Sequence, residues 1–95
     1  MLKNYESMII FDPALSAETI TQLIENIKTH ISKQGGEVVS IDDWGKRNLA
    51  YEIKGFKEGY YVVNFFNLDP KNIAEYERLL KLDEHVVRFN VLTKT

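Results

Sequence analysis

Apolar positions fall along the chain in blocks whose spacing switches between strand and helix periods. Residues 5–11 predict a strand, closed by the turn signal Asp12-Pro13-Ala14. Ser16 then stands as a helix N-cap, with Glu18 in the first turn, where the helix dipole favours an anion. Ile20, Leu23, Ile24, Ile27 and Ile31 recur at helical spacing and build one apolar stripe. Gly35-Gly36 ends that helix, because glycine tolerates the left-handed backbone common just past a C-terminus. Residues 37–41 and 49–53 read as a second strand with a kink or bulge near Asp43-Trp44-Gly45. Residues 54–59 supply a polar, glycine-bearing hairpin loop, and residues 60–66 a third strand dense in aromatic and β-branched side chains. Asp69-Pro70 opens a second helix, Asp as cap and Pro at the first helical position, with the stripe Ile73, Tyr76, Leu79 and Leu80. Asp83-Glu84-His85 forms a short loop before a last strand at 86–92.

The order strand, helix, strand, strand, helix, strand interleaves as a split βαβ pair. The expected fold is an α+β sandwich: a four-stranded antiparallel sheet with both helices on one face. Two helices cover only one face, so strands with water on the other side should alternate cleanly. The third strand does not. Tyr60, Val62 and Phe66 lie on one face, Tyr61, Val63 and Phe65 on the other, and Met8, Ile9, Ile10 and Phe11 run together in the first strand. An open face offering Tyr61, Val63, Phe65, Met8 and Ile10 marks an interface, although central strands of small sheets also carry some apolar residues there.

Composition removes several classes of chemistry. The 95 residues fit one domain spanning positions 1–95. With no cysteine there are no disulfides, thiolate nucleophiles or iron–sulfur ligands. No apolar run approaches the roughly 20 residues needed to span a bilayer, and Met1-Leu2-Lys3-Asn4-Tyr5-Glu6 lacks the shape of a signal peptide, so a cytoplasmic protein is expected. His30, on the first helix, and His85, in a loop, read as solvated surface residues. No His/Asp/Glu cluster has metal-ligand spacing, and Gly45-Lys46 lacks the other residues of a phosphate loop. Asp42-Asp43 and Asp83-Glu84 are adjacent pairs whose side chains point apart, unsuited to a catalytic dyad. No catalytic residue, metal or cofactor is expected, and a phosphate-processing enzyme on this fold would lack a convergent Arg/Asn site.

The net charge of -2 implies that any nucleic-acid footprint is local or shared with a partner. Lys46, Arg47, Lys54 and Lys57 cluster against only Glu52 and Glu58. Charge guarding an edge strand explains that cluster, and so does contact with phosphates or an acidic partner. Lys3, Arg88 and Lys94 form a second, smaller basic group, which antiparallel pairing of the first and last strands is expected to set on neighbouring strands near the sheet edge. The segment Gly59-Tyr60-Tyr61-Val62-Val63-Asn64-Phe65 partly resembles the third strand of the RNA-recognition motif. It departs at Glu58, where a basic residue belongs, at Tyr61, where a small one belongs, and at Val62, where an aromatic belongs. One alternative is therefore a stand-alone single-stranded RNA module that stacks bases on Tyr61 and Phe65.

Gly45-Lys46-Arg47-Asn48-Leu49-Ala50-Tyr51-Glu52-Ile53-Lys54 resembles the signature of the bacterial small-subunit ribosomal protein six family. Tyr5-Glu6, Gly59-Tyr60-Tyr61 and Val86-Val87-Arg88-Phe89 look like further landmarks of that family, so the resemblance spans the chain in order. It implies a ferredoxin-like βαββαβ fold without catalytic activity. It also implies binding to the central domain of small-subunit ribosomal RNA as a heterodimer with ribosomal protein eighteen, which would supply much of the positive charge. Carried over by residue, Trp44, Lys46, Arg47, Asn48, Leu49 and Tyr51 would face the protein partner, with Tyr61 and Val63 extending that surface. Lys3 and Arg88 would meet RNA as phosphate-directed cations, and Tyr5 as a stacking group or hydroxyl donor. Many family members carry a C-terminal extension over the partner; the sequence ends at Thr95, so contacts of that extension are not carried over.

Overall fold

Strands and helices alternate as the periodicity requires: β1 (Lys3–Phe11), α1 (Ala17–Lys33), β2 (Glu37–Ile53), β3 (Phe56–Leu68), a 3-10 turn (Pro70–Asn72), α2 (Ile73–Leu82) and β4 (Val86–Lys94). This computed structural model describes residues 1–94; Thr95 lies outside the described residues. The strands form one antiparallel sheet in the order β2-β3-β1-β4, the expected α+β, ferredoxin-like βαββαβ arrangement.

Side-chain alternation along the two central strands builds the core. Tyr5, Ile9 and Phe11 of β1 stand opposite Phe66, Val62 and Tyr60 of β3. All six lie on the helix-facing side, with Ile20, Ile27 and Ile31 of α1 and Tyr76 and Leu80 of α2 closing over them. Each such buried aliphatic or aromatic side chain contributes about 1.5–3 kcal/mol. A polar pair interrupts this core: Ser7 and Asn64 face each other across β1 and β3, both buried, and Asn64 Nδ2 donates to the Tyr76 hydroxyl at 3.4 Å. Burial pushes the Tyr76 phenol above its ordinary pKa, opposed by that hydrogen bond.

Both ends of α1 follow the sequence signals. The Ser16 hydroxyl accepts from the Thr19 amide, and Glu18 sits in the first turn. At the other end Gly36 N–H donates to Ile31 O at 2.9 Å and Gly35 N–H to Ser32 O at 3.0 Å, with Gly35 at φ +80°. That is the Schellman closure, which needs one left-handed residue.

Several expectations are corrected. β3 begins at Phe56, because the hairpin turn is only Lys54-Gly55, with φ of +52° and +85°. Positive φ at both central residues suits the right-handed twist of the flanking strands, so the ladder resumes at once. β4 likewise runs to Lys94. Asp69 caps the 3-10 turn, accepting from Lys71 N–H, and α2 starts only at Ile73. Leu79 is exposed at 38%, since Tyr76 and Leu80 already fill the inward face. His30 is half-buried, its ring centroid 6.4 Å from that of Tyr76. His85 is held by Asp83, whose Oδ1 lies 3.0 Å from His85 Nδ1.

The α1–β2 connection is sterically tight. A Cβ on Gly36 would collide with the carbonyl oxygen of Asn67, whereas one on Gly35 would meet no heavy atom within 4 Å. Gly35→Ala is expected to cost about 1–2 kcal/mol from its left-handed backbone alone. Gly36→Ala should cost at least as much, about 1–3 kcal/mol from displaced backbone, although its own φ is ordinary. Urea midpoints of the two variants check this; a Gly36→Ala midpoint equal to wild type refutes the close approach.

Candidate interface on the open sheet face

The face opposite the helices collects the second set of alternating residues. Cross-strand pairing sets Met8 beside Val63, Ile10 beside Tyr61 and Glu6 beside Phe65, and on the other flank Ile10 beside Arg88 and Met8 beside Asn90. The sequence reading of Met8, Ile10, Tyr61, Val63 and Phe65 on this face matches the register. Val63 is only 3% exposed, so it forms floor beneath its neighbours.

The bulge in β2 decides which residues of the basic segment reach this face. Asp43 pairs with Val62 and Gly45 with Tyr61, leaving Trp44 as the extra residue, and Gly45 takes φ +72°. Asp43 holds the bulge from its side chain, accepting from Gly45 N–H at 3.0 Å and from the Tyr60 hydroxyl at 2.7 Å. Trp44 is thereby turned onto the open face and stacks on Tyr61, the rings 6.3 Å apart and inclined 12°. Arg47 donates from Nε to the Trp44 carbonyl at 3.2 Å, with its guanidinium 5.9 Å from the indole centroid. Lys46 and Asn48 pair with Tyr60 and Glu58, on the opposite side of the ribbon. The candidate partner set is thus split between two sides of β2.

Beyond Asn48 the hairpin leaves the plane of the sheet. Asn48 pairs with Glu58 and Ile53 with Phe56, so residues 49–52 of β2 stand against Lys57 alone. The longer side must bow outward. It bows across the open face: Leu49, Tyr51 and Ile53 line a cleft of about 280 Å³ with Met8, Ile10, Tyr61 and Arg88. Gly59 permits this closeness, because a Cβ there would strike the Ile10 side chain, with Leu49 Cδ2 3.6 Å away. The arm explains why Ile10, on the open face, is buried. At its crest, Arg88 Nη1 donates to the Tyr51 hydroxyl at 3.0 Å.

The candidate RNA residues are not brought together. Arg88 pairs with Ile10 near one end of β1, whereas Lys94 pairs with Asn4 at the other. Six residues of strand put about 20 Å between Arg88 and Lys94, so Lys3 and Lys94 share an end from which Arg88 is absent. Tyr5 is 6% exposed and its ring stacks on Phe66 at 5.5 Å inside the core. Its ring is therefore not available to stack on a base: alternation places residue 5 under the helices. Lys94 pairs with Glu6 at 3.3 Å and lies 6.0 Å from the Phe65 centroid. Among the described residues, Lys3, Lys46, Arg47, Lys54, Lys57 and Arg88 form no ion pair.

Sequence reasoning missed the arm, and with it Ile53 and Asn90 as cleft residues and the joining of Tyr51 to Arg88. The Lys54-Gly55 turn pins Ile53 opposite Phe56, but the surplus in β2 shows only against the pairing of Asn48 with Glu58, which no local signal in the sequence gives.

The bulge has a titratable clasp. The hydrogen bond to the Asp43 carboxylate, then desolvation and the nearby negative charge, push the Tyr60 phenol from 10 up to about 12. A group raised on folding contributes stability that is fully present below its unfolded value and lost as pH rises through its folded one. Wild type should therefore be more stable than Tyr60→Phe at pH 8, and the difference should shrink to nothing between pH 10 and about 12. Urea midpoints against pH check this; a constant difference across that window refutes the clasp.

Comparison with known proteins follows the same outline. A family model described as ribosomal protein S6 matches residues 4–93. The small ribosomal subunit protein bS6 of Carboxydothermus hydrogenoformans is 48% identical over 92 residues, covering 97% of this chain and 96% of that protein. Its counterpart in Thermoanaerobacter pseudethanolicus is 44% identical over 91 residues, covering 96% of each. The crystal structure of 30S ribosomal protein S6 from Thermotoga maritima superimposes with a TM-score of 0.93 at 32% identity, covering 99% of this chain and 89% of that one.

Proposed function

The chain belongs to the ribosomal protein S6 family, and from that premise we propose that it binds the central domain of small-subunit ribosomal RNA as a heterodimer with ribosomal protein eighteen. Members of this family are structural proteins of the small ribosomal subunit, not enzymes, and their place is the cytoplasmic ribosome of bacteria. The observation that best supports the finer reading is the open face itself. Its Trp44–Tyr61 stack, Arg47 and the apolar cleft under the arm form a surface of the composition that protein interfaces favour, aromatic and Arg-rich at the centre.

Trp44, Arg47, Leu49, Tyr51 and Tyr61 meet the partner in this reading, Val63 supports them from below, and Lys46 and Asn48 contact only a partner that wraps the hairpin edge. Lys3 and Arg88 serve as phosphate-directed cations at two separate ends, and Tyr5 drops out as a stacking group. With a net charge of -2 the chain brings few cations of its own, so salt-sensitive affinity for RNA depends on the partner's basic groups. The stand-alone RNA module is disfavoured by what already covers its two platforms: Trp44 lies on Tyr61, and Lys94 lies over Phe65.

A gel-shift titration on a central-domain RNA fragment tests this, with the chain alone, with ribosomal protein eighteen alone, and with both. Tight binding is expected only with both. Equal binding by this chain alone overturns the heterodimer and restores the autonomous module. In calorimetric titration against ribosomal protein eighteen, Trp44→Ala should weaken pairing by about 2 kcal/mol or more, as truncated interface aromatics do. Its thermal midpoint should fall as well, because the indole also covers Tyr61 in the lone chain, so the titration is run well below that midpoint.

A further inference from the structure

Tyr51 and Arg88 belong to β2 and β4, the two outer strands of the sheet, with β3 and β1 between them. They meet only because the arm bows across the open face, and they meet through one directed contact, Arg88 Nη1 to Tyr51 Oη at 3.0 Å. We propose that Tyr51 is a positioning residue for Arg88: its hydroxyl fixes the guanidinium, and so links protein docking on the arm to RNA binding at Arg88. The proposal rests on the two-ligand reading above and deepens it, since it joins a residue assigned to the protein partner to one assigned to RNA.

The chemistry of the guanidinium carries this. Arginine has five N–H donors in a planar fork. The tyrosine hydroxyl takes one at Nη1, which leaves the edge formed by Nε and Nη2 open for bidentate contact with a phosphate. The contact is to a hydroxyl and not to a carboxylate, so it orients the cation without forming an ion pair, and among the described residues Arg88 has no carboxylate partner. An arginine with unrestrained rotamers loses that freedom on meeting RNA, and one already held by a hydroxyl loses less. The arm is suited to transmit a docking event. Residues 49–52 lack one-to-one pairing with β3, so their position rests on side-chain contacts, the Tyr51 bond and Leu49 over Gly59 among them. A protein that settles on the arm settles Tyr51, and through it Arg88. The linkage is reciprocal: what partner binding adds to RNA affinity by this route, RNA adds to partner affinity.

Tyr51→Phe removes the oxygen and keeps the ring. RNA affinity is measured at saturating ribosomal protein eighteen for wild type, Tyr51→Phe, Arg88→Ala and the double variant, each confirmed as folded by circular dichroism. Tyr51→Phe should weaken RNA binding by about fivefold or more, and in the Arg88→Ala background the same change should have no effect. Equal affinity of Tyr51→Phe and wild type, or effects of the two changes that multiply, overturns the link. In the isolated chain, the Arg88 Nε–Hε NMR signal should report greater mobility in Tyr51→Phe than in wild type; unchanged mobility also overturns it. If the wild-type pair does not bind the RNA at all, the ribosomal-RNA reading fails, and the Arg88 signal still decides whether Tyr51 holds the guanidinium.

Discussion

A sheet of four strands has two faces, and both helices of this chain lie on one of them. Once α1 and α2 close over Tyr5, Ile9, Phe11, Val62 and Phe66, the residues between them are committed to the other side. Alternation at a period of two leaves no intermediate choice. Met8, Ile10, Tyr61 and Phe65 must then be covered by something other than a helix, and most of the remaining structure is the means by which that happens.

Three local devices share the task. The β2 bulge turns Trp44 inward onto Tyr61, and the clasp of Asp43 with Gly45 and Tyr60 holds it there. The Glu6–Lys94 pair shields Phe65 at one end. The arm of residues 49–53 bends over Ile10 at the other, made possible by a two-residue turn beyond it and a glycine beneath it. None closes the face completely. Trp44 and Tyr51 keep large exposed surfaces, at 43% and 64%, and cations stand beside both. The result is a face that is covered only in part, with aromatic and cationic side chains left at its surface.

The same arrangement blurs the division between protein-facing and RNA-facing residues that motif positions suggest. Arg88 lies closer in the structure to Tyr51 than to the cations near the chain termini, and Tyr5 belongs to the core. A landmark residue shared by a family need not be a contact residue. Tyr5 holds its place by packing against Phe66, which secures β1 to β3.

Much was legible from local chemistry. The Ser16 cap, the Gly35-Gly36 stop, the bulge at Asp43-Trp44-Gly45, the element order and the two faces of β1 and β3 all follow from spacing and backbone preference. These act over a few residues and so are written in a few residues. The motif beginning at Gly45 carried the family. What the tertiary structure alone decided involves residues far apart in the chain. Strand register put Arg88 beside Ile10, at the end of β1 away from Lys3, the surplus of β2 over β3 sent Tyr51 across two intervening strands, and the helices determined that residue 5 would be buried. Pairing register and long-range packing depend on every strand at once, so no single segment encodes where its side chains finally meet.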